Sequence, residues 1–146
     1  MSFILIGGAA ANAHGSPSIT QDVDICYART AENVEHLVAA LRAINARLRG
    51  VDPSLPFQLD PKTFQLGDSF TFTTDAGDLD CLGTPAGTSG YDELAANAET
   101  LDLGGFSVAI TSLDDLIRMK RSAGRPKDRV ELEILGALRD EIDRGP

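Results

Sequence analysis

Residues 7–25 constrain this chain more than any other stretch. They read GGAAANAHGSPSITQDVDI, so a glycine pair closes the apolar run Phe3, Ile4, Leu5, Ile6, and an Asp-Val-Asp-Ile segment follows Gly8 after thirteen intervening residues. The apolar run is too brief for periodicity alone to identify it as a strand. Gly7 and Gly8 permit a tight turn and close approach of backbone to a ligand, and the Ala-rich residues 9–13 open a short helix there. Asp22, Val23, Asp24 and Ile25 alternate polar and apolar with the period of a half-buried strand. That spacing predicts Asp22 and Asp24 on one face, with Val23 and Ile25 turned into a core. Two carboxylates held side by side repel one another, and a hard divalent cation between their oxygens removes the conflict. Oxygen-only ligands suit Mg²⁺.

Beyond Arg29, Thr30 is placed to cap a helix that starts at Ala31. Val34, Leu37, Val38, Leu41, Ile44 and Leu48 recur at helical spacing and predict an amphipathic helix over residues 31–49, its apolar stripe against a sheet and His36 off the stripe. Residues 51–61, with Pro53, Pro56 and Pro61, read as a loop, because each proline removes a donor and restricts its predecessor. Phe70 to Thr74 and Asp78 to Leu82 alternate around the turn residues Asp75, Ala76 and Gly77, which predicts a β-hairpin. Asp78, Asp80 and Leu82 share one face of its second arm. Gly83, Pro85, Gly87 and Gly90 punctuate a connection without the spacing of a phosphate loop. A short helix over 91–98 carries Asp92 and Glu93 in its first turn, and a second hairpin over 100–110 turns at Gly104-Gly105. Ser112 caps a helix that stops near Ala123, where Gly124 and Pro126 supply a stop and a new start. Val130, Ile134, Leu135, Leu138 and Ile142 give the last helix an apolar face.

The net charge of −9 argues against general binding of nucleic acid, so any nucleotide must be met locally, by metal ions or a few basic residues. Lys120, Arg121, Arg125 and Lys127 form the basic cluster. Cys26 and Cys81 have no metal-binding spacing and read as small core residues. The start of the chain lacks the charged and cleavable pattern of a signal peptide, and no stretch has the length of a membrane span; the expected location is the cytoplasm. His14, in a loop approaching Asp22, is a candidate for substrate contact without a catalytic role.

The glycine pair and the later Asp-Val-Asp-Ile resemble the signature of the DNA polymerase β-like nucleotidyltransferase superfamily. Residues 112–129 resemble the C-terminal helix pair of small bacterial nucleotidyltransferase-like proteins, including toxin and phage-abortive relatives. The resemblance implies an α/β (α+β) fold, with a small mixed, largely antiparallel sheet flanked by helices. It implies one domain over 1–146, with an acid-bearing core over 1–86 and a helix pair over 112–143. The implied reaction moves a nucleoside monophosphate from an NTP to a hydroxyl on RNA, protein or a small molecule. Two Mg²⁺ ions, or Mn²⁺ in their place, would be held by Asp22 and Asp24 with a third carboxylate from a neighbouring strand; Asp80 fits, and Asp78 is its rival. Asp80 could also serve as general base. Backbone N–H groups after Gly7 and Gly8 would meet the phosphates, as would Lys120. A toxin-like member would have an antitoxin-like partner. A non-catalytic binding module is the alternative on the same fold. One departure stands out: many small relatives have an Arg where this chain has Ser18.

Overall fold

The computed structural model describes residues 1–52 and 54–145; Pro53, within the expected 51–61 loop, lies outside the described residues. In chain order the elements are β1 (Phe3–Ile6), α1 (Gly7–Ala13), β2 (Asp22–Tyr27), α2 (Ala31–Ala43), β3 (Arg47–Leu48), α3 (Pro61–Leu66), β4 (Ser69–Thr74) and β5 (Gly77–Leu82). They continue with α4 (Tyr91–Asn97), β6 (Glu99–Asp102), β7 (Ser107–Ile110), α5 (Leu113–Ala123) and α6 (Pro126–Arg144). The strands form one sheet in the order β3-β4-β5-β2-β1-β7-β6. The pairs β1–β2, β3–β4, β4–β5 and β6–β7 are antiparallel, while β1–β7 and β2–β5 are parallel, so the sheet is mixed and largely antiparallel as expected.

Alternation divides the sheet into two faces. On one, Ile25, Tyr27, Phe72 and Cys81 pack against Val34, Leu37, Val38 and Leu41 of α2 and Phe64 of α3. Those four α2 side chains are at most 2% exposed, and each contributes about 1.5–3 kcal/mol by leaving water. On the other face, Ile4, Ile6 and Cys26 meet Leu94 of α4, with Met119 of α5 against them. Ala10 and Ala11 of α1 pack with Leu113 and Leu116 of α5 and Leu135 of α6. Burial pushes the Cys26 and Cys81 thiols up to about 12, which leaves both as inert core groups.

Local chemistry fixes the helix ends. Thr30 accepts a hydrogen bond from the Asn33 N–H and Ser112 from the Asp115 N–H, while Gly124 is left-handed with φ 65°. Pro126 stands at the start of α6. α3 starts at Pro61, where Asp60 caps the Thr63 N–H, so the expected loop ends in a short helix.

Three expectations are corrected. α2 stops at Ala43 rather than running to 49: Asn45 is left-handed with φ 52°, and the Asn45 and Ala46 N–H groups return to the Arg42 and Leu41 carbonyls. That bond pattern closes a helix, and the chain then enters β3. Val23 is 42% exposed instead of buried, because β1 ends where Ile6 pairs with Asp24 and leaves the start of β2 without a neighbour on that side. In α6, Leu135 is fully buried but Val130 and Ile142 are 59% and 57% exposed. Val130 lies on the side of α6 away from the buried Asp128 and Leu135, and Ile142 lies where the 19-residue α6 outruns the 11-residue α5.

Candidate active site

Strand register assembles the acids. β2 and β5 pair in parallel with Asp22 opposite Asp78 and Asp24 opposite Asp80. Asp24 also pairs with Ile6 on β1, and Asp80 with Thr71 on β4. The Arg49 N–H donates to the Thr71 carbonyl, so Arg49 ends the same row of residues across the sheet. Its guanidinium reaches back along that row. Nη2 donates to Asp80 Oδ1 at 2.7 Å and to the Phe72 carbonyl at 2.9 Å, Nε lies 3.5 Å from Asp78 Oδ2, and Nη1 lies 3.7 Å from Asp22 Oδ2. Burial works against the Arg49 charge, but the hydrogen bond to Asp80 and the charges of Asp80, Asp78 and Asp22 outweigh it and hold the guanidinium above its ordinary value.

Gly7 and Gly8 do their work at Asp24 and Thr20. Gly7 has φ +63°, a conformation that costs a side-chain-bearing residue, and a Cβ there would overlap Asp24 Oδ2. A Cβ on Gly8 would lie 2.8 Å from Thr20. The glycines thus let β1 turn into α1 directly beneath Asp24. No side chain caps the first turn of α1.

The opposite wall comes from the turn between α5 and α6. Asp128 is 0% exposed and collects its cations there. Arg125 donates through Nε to Oδ2 at 2.8 Å and through Nη2 to Oδ1 at 3.2 Å, and Lys120 Nζ donates to Oδ1 at 3.3 Å. The Arg125 hydrogen bond, outweighing the cost of burial and aided by Lys120, draws the Asp128 carboxyl down to about 2. Between the walls lies a cleft of about 320 Å³, lined by Gly8, Ser18 and Thr20, by Asp22, Asp24 and Asp80, and by Lys120, Arg125 and Lys127. A smaller hollow of about 150 Å³ adjoins it, sharing Asp24, Lys120 and Arg125 and bounded by Leu82, Leu116 and Met119.

Asp24 carries the electrostatic conflict of this cleft. Its carboxyl is raised from 3.8 to about 6 by burial first, then by the charge of Asp80, a hydrogen bond to Asp80 and the charge of Asp22; Lys120 pulls the other way. Its Oδ1 is buried without a hydrogen-bond partner. The donors are hard oxygens short of positive charge, which fits a divalent cation. As they lie, no group of three or more His, Cys, Asp or Glu among the described residues is arranged to hold one, and Asp22, Asp78 and Asp80 all lie within ion-pair distance of Arg49.

The structure therefore brings together Asp22, Asp24, Asp80, Gly8 and Lys120 around one cleft, with Gly7 beneath Asp24. Asp80 lines the cleft beside Asp24; Asp78 lies two pairs further along, opposite Asp22, with its carboxylate 3.5 Å from Arg49. His14 is elsewhere. Its Nε2–H donates to the Thr111 carbonyl at 2.7 Å and lies 3.5 Å from Glu99, so it braces the end of β7 and does not line the cleft. Two residues escaped the sequence reading. The helix expected over residues 31–49 includes Arg49, although Arg47, Leu48 and Arg49 alternate as a strand does. Asp128 stands in the first turn of α6, and nothing local in the sequence distinguishes it.

No protein-family model matches the chain, and no curated protein matches it. Among solved structures, the lincomycin-bound crystal structure of the lincosamide antibiotic adenylyltransferase LnuA is similar. It matches with a TM-score of 0.57 at 11% sequence identity, covering 94% of this chain and 87% of that one. The likeness is one of fold.

Proposed function

We propose that this protein is a metal-dependent nucleotidyltransferase that moves a nucleoside monophosphate from an NTP to a hydroxyl acceptor. The observation that carries the reading is the two-walled cleft, with Asp22, Asp24 and Asp80 facing Lys120, Arg125 and Lys127 on a nucleotidyltransferase fold. An anionic triphosphate needs cations around its phosphates and a group that takes a proton from the attacking hydroxyl. Lys120, Arg125 and Lys127 bind phosphate oxygens, and the backbone N–H groups after Gly7 and Gly8 add neutral donors. Asp22, Asp24 and Asp80 would hold two Mg²⁺, or Mn²⁺ in their place, which when bound supply charge neutralisation and acidify the attacking hydroxyl. Asp80 accepts the hydroxyl proton as the acceptor oxygen bonds to the α-phosphorus and the bond to the bridging oxygen breaks, releasing pyrophosphate.

The acceptor fits best as a small molecule or a protein. A chain of net charge −9 repels an extended RNA backbone. A toxin-like enzyme restrained by an antitoxin-like partner is one version; a small-molecule modifier, like the adenylyltransferase of similar fold, is the other. A second reading, a nucleotide- or partner-binding module without turnover, is favoured by one observation: Arg49 already neutralises part of the acid face.

A thermal-shift panel of the four NTPs, with and without Mg²⁺ or Mn²⁺, on wild type and Asp24→Asn tests the metal–nucleotide site, and turnover of NTP with Mg²⁺ that vanishes in Asp24→Ala separates the enzyme from the module. At a hundred times its dissociation constant a ligand of the folded state adds about 2.7 kcal/mol. The enzyme reading expects a shift that needs both metal and nucleotide and is missing in Asp24→Asn. If no nucleotide shifts wild type at millimolar concentration, the module without turnover becomes the better account.

A further inference from the structure

Four carboxylates and one guanidinium share the acid face, and their charges do not balance. The guanidinium is also poorly satisfied. Nη2 alone makes good hydrogen bonds to Asp80 and Phe72, Nε is buried without one, and Nη1 stands 3.7 Å from Asp22. It does not serve Asp24, whose Oδ1 has no hydrogen-bond partner at all. Contrast Arg125, which meets both oxygens of Asp128 through Nε and Nη2. Arg49 follows a strand of two residues, and its side chain is 29% exposed, so the guanidinium can swing to solvent without disturbing the core. A divalent cation brings twice the charge to the same oxygens and can also use the Asp24 oxygen that Arg49 leaves bare.

From this arrangement we infer that Arg49 is the resting counter-ion of the acid face and sets its threshold for divalent cations. Metal entry displaces the guanidinium from Asp22 and Asp80. The inference rests on the reading of these acids as metal ligands and adds to it a residue that competes for them. Apparent metal affinity is then the intrinsic affinity of the carboxylates reduced by the work of releasing Arg49. A charge-assisted hydrogen bond to a partly buried carboxylate is strong enough for that reduction to be about tenfold.

The test is a Mn²⁺ titration followed by electron paramagnetic resonance on wild type, Arg49→Met, Arg49→Lys, Arg47→Met and Asp24→Asn. Arg47 lies one row along the same sheet face and pairs with Asp75, so Arg47→Met removes an equal charge without freeing the cleft acids. Expected are about tenfold tighter binding in Arg49→Met, an intermediate gain in Arg49→Lys, and a change within about twofold in Arg47→Met. An equal gain in both Met variants, or none in Arg49→Met, overturns competition. Should Arg49→Met fail to fold, wild type decides by nuclear magnetic resonance. Mg²⁺ must shift the Arg49 Nε–H signal and spare that of Arg29, and an unmoved Arg49 signal under bound Mg²⁺ overturns the inference. Binding to wild type that is lost in Asp24→Asn keeps the proposed function even if Arg49 proves passive. Failure of both wild type and Arg49→Met to bind Mn²⁺ at millimolar concentration removes the metal reading and this inference with it.

Discussion

Asp24 holds its charge where the folded protein least favours it. The folded carboxyl is raised from 3.8 to about 6, so its proton contributes stability below pH 4 and that contribution is lost as pH rises through 6. Above pH 6 the charged form costs the metal-free protein on the order of 1–3 kcal/mol. Asp24→Asn is therefore expected to raise Tm in EDTA at pH 7, with the gain vanishing near pH 4. A Tm equal to or below wild type at pH 7 would show that the strand tolerates the charge. Gly7 explains why the site accepts this cost, since its missing Cβ is what lets the Asp24 carboxylate sit against the end of β1. The acid pair was legible in the sequence because two-residue alternation is local. The proton affinity of Asp24 was not, because its burial, and the approach of Asp80 through the β2–β5 pairing, arise only in the folded chain.

At the scale of elements, the α5–α6 turn is organised around a carboxylate. Asp128 in the first turn of α6 receives Lys120 from the last turn of α5 and Arg125 from the turn between them. Its folded carboxyl lies near 2, below its ordinary 3.8, so its contribution is present above pH 4 and lost as pH falls through 2. At neutral pH that shift is worth about 2 kcal/mol. Asp128→Asn should lower stability by about that amount at pH 7 and by little at pH 2, read from urea melts. It should also weaken NTP binding, because Lys120 and Arg125 lose their anchor, while leaving Mn²⁺ binding unchanged. Equal loss of both would make Asp128 a purely structural residue. The α5–α6 boundaries were readable from Ser112, Gly124 and Pro126. The end of α2 was not, since Ile44 and Leu48 continue its helical period while Asn45 reverses the backbone.

Over the whole molecule the charge is −9, yet the cleft presents Lys120, Arg125 and Lys127 to a ligand. Local and global electrostatics make different predictions. Lys127→Glu and Lys62→Glu change net charge equally, but Lys62 lies on α3 and does not line the cleft. Lys127→Glu should weaken NTP affinity about tenfold, on the order of 1.4 kcal/mol, and Lys62→Glu by little, as measured by calorimetry in the presence of Mg²⁺. Equal losses would mean that overall repulsion governs binding. No helix among the described residues is long and apolar enough to cross a membrane. By itself the amino-acid sequence determined the features that neighbours within a few residues decide: the alternation of Asp22 to Ile25, both hairpins, the Thr30 and Ser112 caps and the break between α5 and α6. Tertiary structure alone decided which of Asp78 and Asp80 stands beside Asp24, that Arg49 turns onto the acid face, and that Asp128 is buried beneath the basic wall. Those outcomes depend on strands and helices far apart in the chain becoming neighbours. Core packing selects that pairing, and no local period encodes it.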